Sequence, residues 1–408
     1  MYGSKNLNKR NYRSLIIAGV GTIGRSLVTL GNDQFSLFEH VHAIDRDPNC
    51  LTELQCPGIV FHTGDIAEPQ FLKTLLTAIP GPSLFVNLCS GTNNVRIRKN
   101  LTVYDTAYLD TCASITEDSE ECRFSHLMPY TYADMDNRYP HWLCWGINPG
   151  LVEIMARRIL ADLPDTYRTY DVAVYEFDRL ENVKKHGRAA VGWCPEALVE
   201  EIMLSPTMLI ENGLPKEDSN PGSRECLISW ENLPIPARIV GHEDIWNLGE
   251  IPTVKNSGFY YSLSPAVMDI LKMADAEKAR SMLAIPAAGA AITGLEQVAV
   301  QITSKNMLED RTLVWTEDHG ATWKYHGVNA VQYQTAKSLL LAIMLLQRTD
   351  YGLVPHSFNA SNLPIAAGDW PVFDRFMKEL DIKWVDGSHL NLHVLGNKRK
   401  SFISGTGT

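Results

Sequence analysis

The sequence predicts an α/β chain, a doubly wound parallel sheet followed by a second, α+β domain. Three observations predict it. Short apolar runs alternate with helical stretches through the first 147 of the 408 residues. Glycines interrupt the first strand-to-helix junction. Beyond Asn148 the regular alternation gives way to strand-like segments with few helices between them.

The elements follow in order. Leu15–Ala18 is a strand, and Arg25–Leu30 continues as a helix after the glycines. Val41–Ile44, ending at Asp45, is a second strand, Gly58–His62 a third and Leu84–Leu88 a fourth, with helical spacing over Phe71–Ala78. Ala107–Leu109 and His141–Trp145 complete the alternation, which implies parallel strands. Leu151–Leu163 is a helix. Tyr170–Tyr175, Cys226–Trp230, Ala237–Val240, Gly258–Ser262, Val298–Thr303 and Thr312–Thr316 then read as strands of an α+β region. Val328–Leu346 is a long amphipathic helix. The expected organisation is therefore residues 1–147 as the first domain, 148–327 as the second, and 328–408 as a helical segment returning to the first.

Composition narrows the function classes. With 47 acidic and 37 basic residues the net charge is −10, which argues against nucleic acid. It suits a cationic substrate and equally suits plain solubility. The eight cysteines form no CxxC pair and match no zinc-ligand spacing, so reduced thiols of a cytoplasmic protein and no metal are expected. The polar, basic N-terminus does not have the pattern of a signal peptide. The longest apolar runs, Leu283–Leu295 and Ser338–Leu346, fall short of the ~20 residues that span a bilayer. The tail from Gly396 is polar and expected to be mobile.

Gly19-Val20-Gly21-Thr22-Ile23-Gly24 satisfies G-x-G-x-x-G. A strand precedes it, a helix follows it, and Asp45 ends the next strand 21 residues beyond Gly24. Gly19 permits the tight turn, Gly21 lets backbone approach a pyrophosphate, and Gly24 lets helix and strand pack closely. The helix N-terminus at Thr22 and Ile23 offers N–H groups to phosphate. Asp45 would accept hydrogen bonds from ribose hydroxyls and repel a 2′-phosphate, so this Rossmann-like domain is expected to bind NAD, a preference that Arg46 softens. Asn87 and the pair Asp110-Thr111 fall at carboxyl ends of strands, where ligands lie, and serve as well as caps or turn residues.

Four elements of the second region carry further chemistry. Trp145-Gly146-Ile147-Asn148-Pro149-Gly150 is a strand-to-helix turn in which Asn148 can cap and Pro149 can open the helix. Glu176 and Asp178 end a strand. Trp193 begins a helical stretch carrying Glu200 and Glu201, and His242 stands in Gly241-His242-Glu243-Asp244. Singly these are an N-cap, solvated carboxylates, a buried indole and a surface histidine. Together, an indole face, carboxylates and a histidine can hold and deprotonate an amine.

At these residues the chain resembles the saccharopine dehydrogenase-like oxidoreductases and, within them, the homospermidine synthases. The shared order covers GVGTIGR, Asp45, PSLFVNL with Asn87, YLDT with Asp110, GINPG with Asn148, YEFD with Glu176, Trp193 through Glu201, GHED with His242, and the helix after Val328. The resemblance implies an aminobutyltransferase that uses NAD as a resident hydride store on putrescine or a related polyamine. It implies that Glu176 and Glu201 hold or deprotonate ammonium groups. Trp193 would stabilise a cationic intermediate, His242 would move or position a proton, and Asn148 would sit by the nicotinamide. It also implies a homodimer through the second domain. The chain is shorter than typical members of that family, and its acids Glu117 and Asp118 are displaced from where the family carries a carboxylate and an aromatic after YLDT. Two alternatives stand beside this reading. One is a Schiff-base reductase like saccharopine or carboxynorspermidine dehydrogenase, which would want arginines such as Arg179 or Arg188 for a substrate carboxylate. The other is a catalytically silent NAD-binding regulator.

Overall fold

The computed structural model describes residues 10–52, 54, 56–114, 123–133, 135–163, 169–182, 188–305, 307 and 309–395. Glu117, Asp118 and the tail from Gly396 lie outside them. The chain divides into two compact units. Among the described residues, the first holds the chain up to Ser114, His126–Leu151 and Gln332–Ile382, and the second holds Val152–Val331 with Arg123–Ser125 and Lys383–Leu395.

The first unit is built on β1 (Ser14–Ala18), β2 (His40–Asp45), β3 (Ile59–Thr63), β4 (Ser83–Asn87), β5 (Thr106–Asp110) and β6 (His141–Trp142). With the short strand Ser357–Phe358 they form a seven-stranded sheet in the order Ser357–Phe358, β6, β5, β4, β1, β2, β3. All its pairs are parallel. The order reverses at β1, between β4 and β2, which is the topological switch point of a doubly wound sheet. β1, β4 and β5 are buried at every position, which is why they read as continuous apolar runs. Ile16, Ile44, Phe85 and Tyr108 share one core cluster with Leu72 and Leu75 of the helix Pro69–Ala78.

Helix α1 (Thr22–Leu30) leaves the switch point, and α2 (Asn94–Leu101) follows β4. The long helix Ala330–Arg348 contributes residues from Gln332 onward to this unit. Gln347 ties it to the chain start by accepting from the N–H groups of Asn11 and Tyr12 and donating to Tyr12 O. The stretch from Lys383 departs from the expected return to the first domain. Trp384–Asp386 and His393–Val394 instead pair as edge strands in the second unit's sheet, where unpaired backbone N–H and C=O groups were available to them.

The second unit opens with helix α3 (Leu151–Asp162). Its sheet is formed by β7 (Tyr170–Asp178), β8 (Pro206–Glu211), β9 (Leu214–Pro221), β10 (Arg224–Trp230), β11 (Leu233–Val240), β12 (Val254–Ser262), β13 (Leu295–Thr303) and β14 (Arg311–Asp318), with the two short edge strands. The ten strands run mainly antiparallel, but β7 and β12 pair in parallel at the centre. Strands β8 and β9 and the first half of β11 are absent from the sequence expectation. Pro215, Pro221, Pro234 and Pro236 argue against strands locally. β11 accommodates its prolines because only Arg238–Val240 pair with β12, so the proline end has a partner on one side alone.

Side chains alternate across this sheet. Ala173, Tyr175, Tyr260 and Ala299 point to one face and pack with Ile228, Trp230 and Val314. Glu176, Asp178, Tyr261 and Glu296 stand at the opposite parity, and all four are buried. Buried acids cost free energy unless paired, so this second face is where chemistry is to be sought. Among the described residues no helix is long and apolar enough to cross a membrane.

Candidate active site

In the first unit the glycine loop joins β1 to α1 at the switch point. Gly19 has φ +89°, and a Cβ there would lie 2.7 Å from Cys89 N. A Cβ on Gly24 would overlap Gly19 O, so this glycine sets how closely α1 packs on β1. Gly21 differs, because a Cβ there meets nothing within 4 Å. It is the residue ahead of α1, and no side chain caps the first-turn N–H groups of Thr22 and Ile23. Open space over an uncapped helix N-terminus is what a pyrophosphate needs. Asp45 Oδ2 accepts from Val20 N at 2.7 Å, and Oδ1 accepts from Asp47 N at 2.9 Å. Each oxygen keeps a further lone pair for a ribose hydroxyl. These residues fit a dinucleotide.

Asn87 and Asp110 are engaged within the protein. Asn87 Nδ2 donates to Asn94 Oδ1 and to Tyr108 Oη, while Asn94 Nδ2 donates to Asp110 Oδ2. Asp110 Oδ1 accepts from Cys144 N, and its main-chain oxygen accepts from Trp145 N. At 2% and 1% exposure the two side chains tie the ends of β4 and β5 to Asn94 of α2, and Asp110 ties β5 to Cys144 ahead of the GINPG turn. Thr111, next to Asp110, is half-buried.

The GINPG turn differs from its sequence reading. The helix begins at Leu151, two residues beyond Pro149, and the Asn148–Pro149 peptide is cis. Gly146 N donates to Pro149 O at 2.5 Å, and Leu151 N to Gly146 O at 3.0 Å. A Cβ on Gly150, at φ +123°, would lie 2.6 Å from Gly146 N, so glycine closes this loop. Asn148 is half-buried on it.

In the second unit three elements gather acids around one histidine. Glu176 is near the end of β7. Glu201 lies on the wide π turn Glu200–Leu204 that continues helix α4 (Pro195–Val199), where Ser205 N reaches back to Glu200 O. His242 immediately precedes helix α5 (Glu243–Gly249). Its approach requires Gly241, since a Cβ there would strike Pro206 O. His242 Nδ1 lies 3.1 Å from Asp244 Oδ1 and 3.7 Å from Glu243 Oε2, and Nε2 lies 4.0 Å from Glu201 Oε1. The Phe259 ring flanks it, with centroids 4.9 Å apart. Both Glu243 and Asp244 sit in the first turn of α5, where the helix dipole favours negative charge.

Electrostatics follow from this crowding. Burial opposes charge on His242, but Asp244, Glu201 and Glu243 outweigh it and hold its pKa well above the usual histidine value. Burial pushes Glu201 up to about 8, helped by Glu176, Glu243 and Asp244 and opposed by His242. Glu201 Oε1 and Asp244 Oδ2 are buried without a hydrogen-bond partner among the described residues. The arrangement gathers Glu201, Glu243 and Asp244 around one histidine, with unpartnered oxygens on Glu201 and Asp244, and can take an ammonium group and exchange its proton.

Trp193 is half-buried, two residues before α4. Among the described contacts none joins its ring to these carboxylates. Arg179 is committed elsewhere. Its guanidinium stacks 3.9 Å from the Phe177 ring centroid and donates to Leu263 O and Ser262 Oγ. Arg188 is exposed.

Sequence reasoning missed Glu296, His319 and Tyr261. A lone acid at the start of the apolar strand β13 was the available signal for Glu296. His319 carried none, because its partners come from distant segments. Asp178, Glu296 and His319 bring one ligand atom each to within 4.8 Å of one another. His319 Nδ1, however, accepts from Ala330 N at 3.1 Å, so Nε2 carries the proton and donates it to Asp178 Oδ1, also at 3.1 Å. In that tautomer the imidazole offers no lone pair to a cation.

The fold is similar to that of the homospermidine synthase of Legionella pneumophila solved in complex with NAD, with TM-score 0.72 and 14% identity over 92% of this chain and 91% of that one. It is also similar to the apo saccharopine dehydrogenase (L-Glu forming) of Saccharomyces cerevisiae, with TM-score 0.59 and 11% identity over 92% of this chain and 99% of that one. No protein-family model matches the chain, and no curated protein does. At these identities the likeness shows the fold alone, a parallel Rossmann-type sheet with a second mixed-sheet domain.

Proposed function

We propose that this chain is an NAD-dependent, homospermidine synthase-like aminobutyltransferase acting on putrescine or a related polyamine. The observation that carries the reading is the 4.0 Å gap between Glu201 Oε1 and His242 Nε2, bordered by Glu176, Glu243 and Asp244. A buried, partly unsatisfied acid cluster of this kind suits an ammonium group better than any anion. When bound on the glycine loop, NAD supplies hydride acceptance and return.

The protein's own groups would do the rest. Gly21 and the N–H groups of Thr22 and Ile23 take the pyrophosphate, and Asp45 takes the ribose. Glu176 and Glu201 hold the amine and accept its proton, which an amine must lose before it can attack as a free base. A Glu201 pKa raised to about 8 suits exchange of that proton near neutral pH. His242, kept cationic by Asp244, orients Glu201. Trp193 offers a ring face to a cationic intermediate, and Asn148 positions the reacting carbon.

Arg179 bears on the Schiff-base reductase alternative. That chemistry needs a cation for the substrate carboxylate, and Arg179 is held by Phe177, Ser262 and Leu263. Incubation with putrescine and NAD tests the proposal. Homospermidine and ammonia are expected with no net NADH. The absence of both product and any transient NADH fluorescence sinks it, and stoichiometric consumption of NAD(P)H by an amine–carbonyl mixture replaces it with the reductase.

A further inference from the structure

Glu296, near the start of β13, is 1% exposed. Its register partner on β7 is Asp178, and Val298 stands opposite Glu176. The Glu296 and Glu176 side chains hydrogen-bond to each other. Two carboxyl groups can do so only with a proton between them, because two carboxylates present acceptors alone. The second oxygen, Oε2, has no partner among the described residues, and neither does the buried Tyr261 Oη, which stands beside Glu176 in the β7–β12 register. The acid pair therefore borders a buried spot where two polar atoms lack partners, which a second carboxylate alone would not explain.

The groups facing the pair come from every neighbouring element. Asp178 comes from β7 and Arg179 from just beyond it, Tyr261 from β12, and Glu201 from the π turn with His242 beside it. Glu317 stands opposite Glu296 on β14 and accepts from Trp315 Nε1. Asp178 Oδ1 accepts from both His319 Nε2 and Leu180 N. Burial first, then Glu176 and Asp178, oppose ionisation of Glu296.

We propose that Glu176 and Glu296 work as one unit holding a single shared proton, with Glu176 meeting the substrate ammonium, Glu296 as its proton-holding partner, and His319 positioning Asp178 against the pair. This rests on the amine-transfer reading above. In the step, R–NH3+ gives one proton to the hydrogen-bonded monoanion, leaving R–NH2 and two protonated carboxyls. The reverse step returns that proton to the departing nitrogen. No electron pair leaves the carboxyls and net charge is conserved.

The test has two arms. Infrared difference spectra of the purified protein at neutral pH, wild type minus Glu296→Gln and wild type minus Glu176→Gln, are expected to show loss of a protonated-carboxyl stretch in both. Either variant alone suffices if the other does not fold, and absence of the band from the spectra obtained overturns the proposal, whether or not any amine is turned over. In the kinetic arm, Glu296→Gln is expected to lower kcat by at least about tenfold with little change in KM. It is also expected to move the acid limb of the pH profile to higher pH, since the Glu176 carboxylate loses the shared proton that stabilises it, and Glu296→Asp restores part of the rate. A loss of rate with an unmoved pH profile makes Glu296 merely structural and overturns its role. If the wild type turns over no amine, the functional reading fails by itself and the infrared arm still decides the shared proton.

Discussion

His242 Nε2 lies 4.0 Å from Glu201 Oε1, too far for a hydrogen bond and near enough for an ion pair. The two groups therefore set each other's protonation without closing the space between them. Glu201, raised to about 8 from its ordinary 4.5, keeps its proton in the fold over a range where the unfolded chain has lost it. The folded state then binds more protons, so its stability falls as pH rises from about 4.5 to about 8 and levels off above. Glu201→Gln removes this slope. Relative to wild type the variant should gain on the order of a few kcal/mol between about pH 5 and about pH 9, measured by urea unfolding, while amine turnover drops ~10²-fold. Parallel pH–stability curves for the two proteins would contradict the assignment.

His242→Asn should push the Glu201 titration above about 8, because the imidazolium is the group that lowers it. The alkaline displacement would appear in the pH dependence of kcat/KM. An unmoved or acid-shifted profile would show that His242 is not charged beside Glu201.

Gly21→Ala and Gly24→Ala should fail in different ways. The new methyl at Gly21 meets no protein atom, so Tm should hold while the Kd for NADH rises by roughly tenfold or more, about 1.4 kcal/mol. At Gly24 the methyl overlaps Gly19 O, and stability should fall by about 1–3 kcal/mol. NADH fluorescence titration and thermal unfolding separate the two, and equal loss of stability in both variants would argue against an open pyrophosphate cradle.

Asp45→Ala should weaken NAD binding and raise the relative affinity for NADP, since it removes both the ribose acceptor and the charge that repels a 2′-phosphate. Competition between NAD and NADP measures the ratio. An unchanged ratio would move the ribose contact to another residue.

Asp110→Ala should cost about 1–3 kcal/mol of stability by leaving Cys144 N without this acceptor and Asn94 Nδ2 with Cys112 O alone. Cofactor affinity should change only through displacement of the GINPG turn. A loss of NAD affinity with unchanged unfolding would restore Asp110 to the cofactor's direct contacts.

The sequence by itself determined the first unit. β1, β4 and β5 are buried on both sides and appear as uninterrupted apolar runs, and the glycine loop with Asp45 encodes its geometry in fixed spacing, because turn, phosphate contact and packing are all local. It also marked Glu176, Glu201 and His242 as reactive types in a suggestive order. Only the tertiary structure decided what those groups meet. Pairing β7 with β12 and β13 puts Glu176, Tyr261 and Glu296 on one buried face although they are scattered along the chain. The prolines of β9 and β11 concealed part of that sheet, since a proline's missing N–H matters only where a neighbouring strand would have bonded it. Asn87 and Asp110 show the same limit from the other side. Their positions at strand ends were legible, but whether their polar atoms face a ligand or one another depends on Asn94, Tyr108 and Cys144. Spacing along the chain records local geometry, whereas protonation and hydrogen-bond partnership belong to groups that only folding brings within reach.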